Sequence, residues 1–280
     1  MKNKRVIARL DVKNDALVKG IHLEGLRVLG KPEQFAFHYY SEGIDELLYM
    51  DVVASLYGRN SLNDLVRDTA KSIFVPLTVG GGIRNATDVR ELLRSGADKV
   101  AINTAATKSP DLIRELAESF GSSTIVVAIE TICDDSGRYM VYIDNGRQHT
   151  GLDAVEWAQQ AEALGAGELI VTSVDNEGTG KGFDLGIISQ ICNAVSIPII
   201  AHGGAGKPND LSRVLKETEA DAACVASILH YDAVQRIEQD LSTVSGNKNF
   251  ITSGRDKKNL TSSSVAAIKD CLRENGIQVR

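Results

Sequence analysis

Two glycine clusters, Gly80-Gly81-Gly82 and Gly203-Gly204, each follow a short apolar run, and they stand about 120 residues apart. Glycine lets backbone approach a ligand closely, and N–H groups in such loops, or at a following helix N-terminus, hold phosphate oxygens. A single glycine-rich loop can be no more than a tight turn. Here there are two in matching places, and each is followed by a strand ending in small or polar residues: Asn103-Thr104 in the first case, Ala226-Ser227 in the second. This pattern predicts two phosphate sites. Asp11 and Glu130 end two further apolar runs. Placed across one mouth, two carboxylates can divide acid and base roles if their surroundings push their pKa values apart; the alternative is that they satisfy loop N–H groups. Lys19 could contact a phosphate or could be a solvated loop lysine. His202, just before the second glycine pair, reads equally as an acid/base or as a hydrogen-bonded loop residue. Arg5, Glu46, Lys99 and Glu168 begin apolar runs. Such residues usually face solvent, but two of each sign around one rim could form a salt-bridged ring.

Positioning these groups requires a repeating scaffold. Strand-length apolar runs lie at Arg5–Asp11, Glu46–Asp51, Phe74–Val79, Lys99–Asn103, Thr124–Glu130, Glu168–Ser173, Pro198–Ala201 and Ala222–Ala226. Amphipathic segments lie between them, among them Asn60–Lys71, Ala86–Ser95, Pro110–Phe120, Ala154–Leu164 and Leu185–Ala194. Strands alternating with helices give a parallel sheet, and eight such units close into a (β/α)8 TIM barrel with its site at the carboxyl ends of the strands. An open doubly wound sheet is the alternative. Internal similarity favours the barrel. Thr78–Arg84 resembles Ile200–Gly206, Ala97–Thr104 resembles Ala220–Ser227, and Asp11 corresponds to Glu130, so the chain reads as two duplicated half-barrels. One domain over residues 1–280 is expected, with a polar insertion at about 242–264 before a last helix, Val265–Glu274.

The 280 residues are 43% hydrophobic, enough for one large core. A net charge of -6 argues against nucleic-acid binding, which requires a basic face. No apolar run reaches membrane-spanning length, and the start, Met1-Lys2-Asn3-Lys4-Arg5, lacks the pattern of a signal peptide. Cys133, Cys192, Cys224 and Cys271 are scattered, and the histidines show no ligand spacing, so a cytoplasmic chain with reduced thiols and no metal is expected.

Taken together, these residues resemble the HisA/HisF family, and within it the cyclase subunits of imidazole glycerol phosphate synthase. The resemblance is carried by Leu10-Asp11-Val12-Lys13, Val18-Lys19-Gly20, Pro76–Arg84, Gly96–Val100 and Thr150–Ala158, and runs almost end to end. It implies a HisH-like glutaminase partner, ammonia crossing the barrel, a bisphosphorylated ribulosyl aminoimidazole carboxamide as substrate, and no cofactor. It assigns Asp11 to one acid/base role. Gly82, Asn103 and Thr104 fall to one phosphate site, and Gly178, Gly203, Gly204, Ala226 and Ser227 to the other. It also assigns Arg5, Glu46, Lys99 and Glu168 to an ammonia gate and Asp98 to the glutaminase interface.

Four positions depart from the family pattern. Glu130 stands where the second catalytic residue is an aspartate, and Glu177 replaces an aspartate in the second phosphate loop, Asp175-Asn176-Glu177-Gly178-Thr179. His202 replaces a small residue and Arg9 a cysteine. These changes cluster on the catalytic face while the gate is intact. Ammonia delivery to a different acceptor, such as a bacterial surface sugar, and a non-catalytic channel scaffold therefore stand as alternatives to the cyclase.

Overall fold

The computed structural model describes residues 3–54, 62–238 and 259–280. Twelve strands follow in chain order: β1 (Arg5–Lys13), β2 (Ala16–Ile21), β3 (Glu24–Gly30), β4 (Glu46–Asp51), β5 (Leu77–Gly80), β6 (Lys99–Ile102), β7 (Ile125–Cys133), β8 (Tyr139–Ile143), β9 (Gln148–Asp153), β10 (Glu168–Ser173), β11 (Ile199–His202) and β12 (Ala222–Val225). Eight of them, β1, β4, β5, β6, β7, β10, β11 and β12, pair in parallel, and β12 pairs with β1 to close the ring. The expected (β/α)8 barrel is therefore present, and the open sheet is excluded.

Alternation along β1 shows how one strand serves two cores. Val6, Ala8, Leu10 and Val12 pack into the layer between strands and helices. Ile7 belongs to a separate apolar cluster with Leu48, Ala101, Val126, Ile170 and Ile200, which the two-residue period of a strand places on the opposite face, inside the barrel. Arg5, Arg9 and Asp11 share that inward parity, so three charged side chains of one strand are stacked along the barrel axis.

The helices sit where the amphipathic pattern puts them, with sharp ends. Asn85 caps helix Ala86–Ser95 by accepting from the N–H groups of Thr87 and Asp88, and Gly96 ends it with a φ of 116°. Asp184 caps helix Leu185–Ala194 and Ser264 caps helix Val265–Glu274. That last helix is tied to the first half: Lys269 Nζ lies 2.6 Å from Asp45 Oδ1, and Glu42 accepts the N–H of Val265 at 2.9 Å. Residues 239–258, most of the expected insertion, lie outside the described residues, as does the start of the expected helix Asn60–Lys71, which is seen as Asn63–Ala70.

Two features differ from expectation. The third barrel strand begins at Leu77, not Phe74; Pro76 has no N–H for a ladder, and Phe74 is left 77% exposed. Two hairpins also rise from the barrel, β2–β3 after the first barrel strand and β8–β9 after the fifth. They occupy matching places in the two halves, so the duplication extends to its insertions.

Candidate functional site

At the amino-terminal rim, the four charged strand-start residues come together. Arg5 contacts Glu46 at 2.8 Å and Glu168 at 2.5 Å; Lys99 contacts Glu168 at 2.9 Å and Glu46 at 3.5 Å. Each cation bridges both carboxylates, making a closed ring across the base of the barrel. Burial works against the Arg5 charge, but the two carboxylates outweigh it and raise its pKa. Asp98 is exposed beside this rim and accepts the Leu77 N–H at 2.8 Å. It shares a shallow depression with Phe74.

Above the ring the barrel interior is apolar. It leads to a cavity of about 230 Å³ at the carboxyl-terminal end, whose floor includes Ala101, Ala128 and Met50 and whose walls include Gly82, Asn103, Thr104 and Glu130. Gly82, Asn103 and Thr104, the residues expected to form the first phosphate site, therefore share one cavity. Gly81 shows why its loop is glycine-rich: its φ is 99°, and a Cβ there would lie 2.3 Å from the Asp51 carbonyl oxygen. Thr104 Oγ1 is 3.4 Å from Asp144 Oδ1, and Asn103 Oδ1 is buried with no hydrogen-bond partner. Arg84 and Lys108 also line this cavity and supply the positive charge an anion needs. Sequence reasoning missed both. Lys108 could have been found from its spacing, four residues after Thr104 and so one helical turn along.

Glu130 projects into this cavity from β7. Hairpin β8–β9 folds over it and donates the Gly146 N–H to Glu130 Oε2 at 2.8 Å. The additional methylene of glutamate is thus taken up by an anchor. Burial pushes the Glu130 carboxyl up to about 7, against the Gly146 N–H, Arg9 and Asn103, which pull it down. Asp11 is differently placed: Arg9 Nε lies 2.7 Å from Asp11 Oδ1, and both side chains are buried.

Around the second glycine cluster, polar groups from both halves meet one another. Lys19 on β2 forms a buried ion pair with Glu177 and donates to the Gly20 carbonyl at 2.6 Å. Glu177 also accepts the Leu23 N–H at 3.0 Å, and His22 Nδ1 donates to the Val174 carbonyl at 2.8 Å. Lys19 is thus not a solvated loop lysine; it clamps hairpin β2–β3 onto the loop after β10. Gly178 lies under that clamp, where a Cβ would come within 2.8 Å of the Gly20 carbonyl oxygen. Gly204 has a φ of 107°, and a Cβ there would meet the Gly182 carbonyl oxygen at 2.1 Å. Ala226 and Ser227 start helix Ser227–Arg236, directly after the last barrel strand, a recurrent phosphate position in such barrels. His202 is buried, with Nδ1 3.1 Å from the Thr172 hydroxyl and 3.4 Å from Arg9. Burial first, then the Arg9 and Lys19 charges, hold it well below its usual pKa. Of the two readings of His202, the structure gives the hydrogen-bonded neutral imidazole.

Away from the mouth, His38, Glu42 and Asp232 bring three possible ligand atoms within 4.8 Å, a grouping that sequence spacing does not show. Arg236 already pairs with Asp232 there at 2.7 Å. The four cysteines are all free. Among the described residues no helix is long and apolar enough to cross a membrane.

A closed eight-stranded barrel whose carboxyl-terminal mouth holds a cavity lined by glycine loops, Arg84 and Lys108, with a charged ring at the other end, has the architecture of (β/α)8 enzymes. The sequence narrows this. Residues 5–235 match the family of histidine biosynthesis proteins, and the chain belongs to that family. It is 58% identical over 207 residues to a Legionella pneumophila protein named imidazole glycerol phosphate synthase subunit HisF, covering 74% of this chain and 98% of that one. A Methanopyrus kandleri protein of the same name is 44% identical over 259 residues, covering 85% and 95% of the two chains. A third, from Lactococcus lactis subsp. cremoris, is 44% identical over 244 residues, covering 86% and 94%.

Proposed function

We propose that the chain is the cyclase subunit of an imidazole glycerol phosphate synthase, acting in the cytoplasm with a HisH-like glutaminase. The observation that carries this reading is the alignment on one axis of a charged ring, an apolar interior and an anion-binding cavity. Ammonia released by a glutaminase seated over Asp98 and Phe74 enters at the ring and crosses the interior. It attacks the ribulosyl aminoimidazole carboxamide substrate, which is held by one phosphate in each half. Cleavage and ring closure then give imidazole glycerol phosphate and the aminoimidazole carboxamide ribotide. Asp11, an ion-paired carboxylate, suits the base; Glu130, protonated below a pH of about 7, suits the acid. Purified protein with an ammonium salt should convert the ribulosyl substrate. A folded protein that gives no turnover, beside an active control enzyme, rejects the proposal.

A second reading keeps ammonia delivery but changes the acceptor to a surface sugar, which a separate amidotransferase would modify. What favours it is that Arg9, Glu130, Glu177 and His202 are all at the mouth, while the ring at the other end keeps the family's residues. Rescue of a histidine auxotroph by the gene would exclude this second reading.

A further inference from the structure

Arg9 stands between the two carboxylates of the mouth. It projects inward from β1 on the same face as Asp11, and it lines the cavity together with Glu130 and Thr172. Only 3% of it is exposed. Its guanidinium is held at both ends: Nε donates to Asp11 Oδ1 at 2.7 Å, and one terminal nitrogen lies 3.4 Å from His202 Nδ1. Arginine has donors only, so Nδ1 accepts and the proton of the neutral imidazole sits on Nε2. The Thr172 hydroxyl, 3.1 Å from the same Nδ1, ties the ring to β10. Thr172 is also the β10 residue in register with Glu130 of β7. A chain of contacts thus runs along one side of the mouth, from the strand beside Glu130 through His202 and Arg9 to Asp11. Burial works against the Arg9 charge, but Asp11 outweighs it, so the cation is kept. That charge also reaches Glu130. Burial raises the Glu130 carboxyl; the Gly146 N–H, then Arg9, then Asn103 pull it down, and Asp144 pushes with burial. Arg84 and Lys108 line the same cavity.

We infer that Arg9 is a positioning residue of the proposed reaction, held between His202 and Asp11 so that one guanidinium both orients the base and sets the charge around the acid. The inference rests on the cyclase reading above. A planar guanidinium fixed at two points leaves the Asp11 carboxylate little freedom to turn. The same charge, shared with Glu130, keeps the acid and the base matched to one another. The cysteine that the family carries at position 9 can do neither, being a weak donor without a fixed charge. The departures at Arg9 and His202 then change how the two carboxylates are held.

The test measures kcat, KM for the ribulosyl substrate and the pH profile, with an ammonium salt as the nitrogen source. Arg9→Gln keeps a donor for Asp11 and removes the charge. Its alkaline limb, set by Glu130 at about 7 in wild type, should move up by on the order of one pH unit, because a cation that favours the carboxylate is gone. Its kcat should fall roughly tenfold or more, with KM little changed. Arg9→Lys keeps the charge and loses the planar fork, so its limb should stay near 7 while kcat is only partly restored. His202→Ala frees one end of the guanidinium and should lower kcat several-fold, also without moving the limb. A loss of packing alone would slow all three variants and move the limb in none. An Arg9→Gln limb that stays at the wild-type pH overturns the inference and leaves the proposed function standing. So does a raised KM with kcat intact, which would make Arg9 a substrate-binding residue. If Arg9→Gln does not fold, Arg9→Lys decides: a limb displaced despite the retained charge, or a kcat equal to wild type, overturns the inference. A wild-type protein that forms no product overturns both.

Discussion

Around the first glycine cluster the polar groups face an open cavity, whereas around the second they engage one another. Gly82, Asn103, Thr104 and Glu130 share one surface with Arg84 and Lys108. Lys19 and Glu177 form a buried ion pair that ties down hairpin β2–β3, and His202 is buried against Thr172 and Arg9. The halves keep one plan, down to a hairpin after the first strand of each, yet the hairpins do different work. The β8–β9 hairpin anchors the Glu130 carboxylate through the Gly146 N–H and leaves the cavity open; the β2–β3 hairpin is clamped shut by an ion pair. The repeat places groups of each kind at matching positions, and the residue types present decide whether they face the cavity or a neighbour.

The largest effect should come from the two carboxylates, because they differ most in environment. Asp11→Asn and Glu130→Gln should each lower kcat by roughly 10²–10⁴-fold, the usual range for a positioned acid or base. The pH dependence separates them. In the proposed role Glu130 is an acid while protonated, so wild-type turnover should fall as pH rises through about 7, and that limb should vanish in Glu130→Gln. Stability follows the same group. Its pKa is raised in the folded state, so its contribution is full below the ordinary carboxylate range near 4.5 and is lost as pH rises through about 7. Thermal midpoints of wild type and Glu130→Gln should therefore diverge over that window, wild type losing ground toward higher pH. Parallel curves would mean that Glu130 titrates as an ordinary carboxyl, and the contrast with Asp11 would collapse.

The clamp is the next test. Removing one partner of a buried ion pair typically costs about 3–5 kcal/mol, through the charge left behind. Lys19→Met should act on hairpin β2–β3 more than on the barrel, since the pair joins the hairpin to the loop after β10. Hydrogen exchange of the β2–β3 amides should therefore accelerate strongly, with the β4 and β5 amides little changed. Lys19→Met combined with Glu177→Met should recover much of the protection. If the single variant left hairpin exchange unaltered, the closed second half would not depend on its charges.

The architecture and the first half of the site were legible in the sequence; the wiring of the second half was not. Eight apolar runs gave eight strands because a buried parallel strand needs little beyond apolar length. The two glycine loops were legible because backbone sterics restrict those positions to glycine. The hairpins were missed although Asp144-Asn145-Gly146, all with positive φ, is a turn sequence of the strongest kind. Arg9 and Asp11, two residues apart on one strand, share a face by period alone, so that pair could have been read. Lys19 with Glu177 and Arg9 with His202 are separated by 158 and 193 positions. Only the closed ring of strands brings them together, and no local pattern encodes that meeting.

The smallest expected effect is also the finest probe of the difference between the halves. Thr104 and Ser227 both open a helix after a barrel strand, at equivalent places. A hydroxyl donating to a charged group contributes on the order of 1.5–3 kcal/mol, but Thr104 already has Asp144 within 3.4 Å and must exchange it for the ligand. Thr104→Ala should therefore raise KM by less than Ser227→Ala, roughly fivefold against tenfold or more, with kcat changed little in either, since in the proposed function both would bind a phosphate remote from the reacting atoms. Asp144→Ala should make the two sites more alike, because it removes the competitor and leaves Thr104 free to serve only the phosphate. If Thr104→Ala costs as much as Ser227→Ala with Asp144 in place, the Asp144 contact does not compete with the ligand, and the halves differ in closure alone.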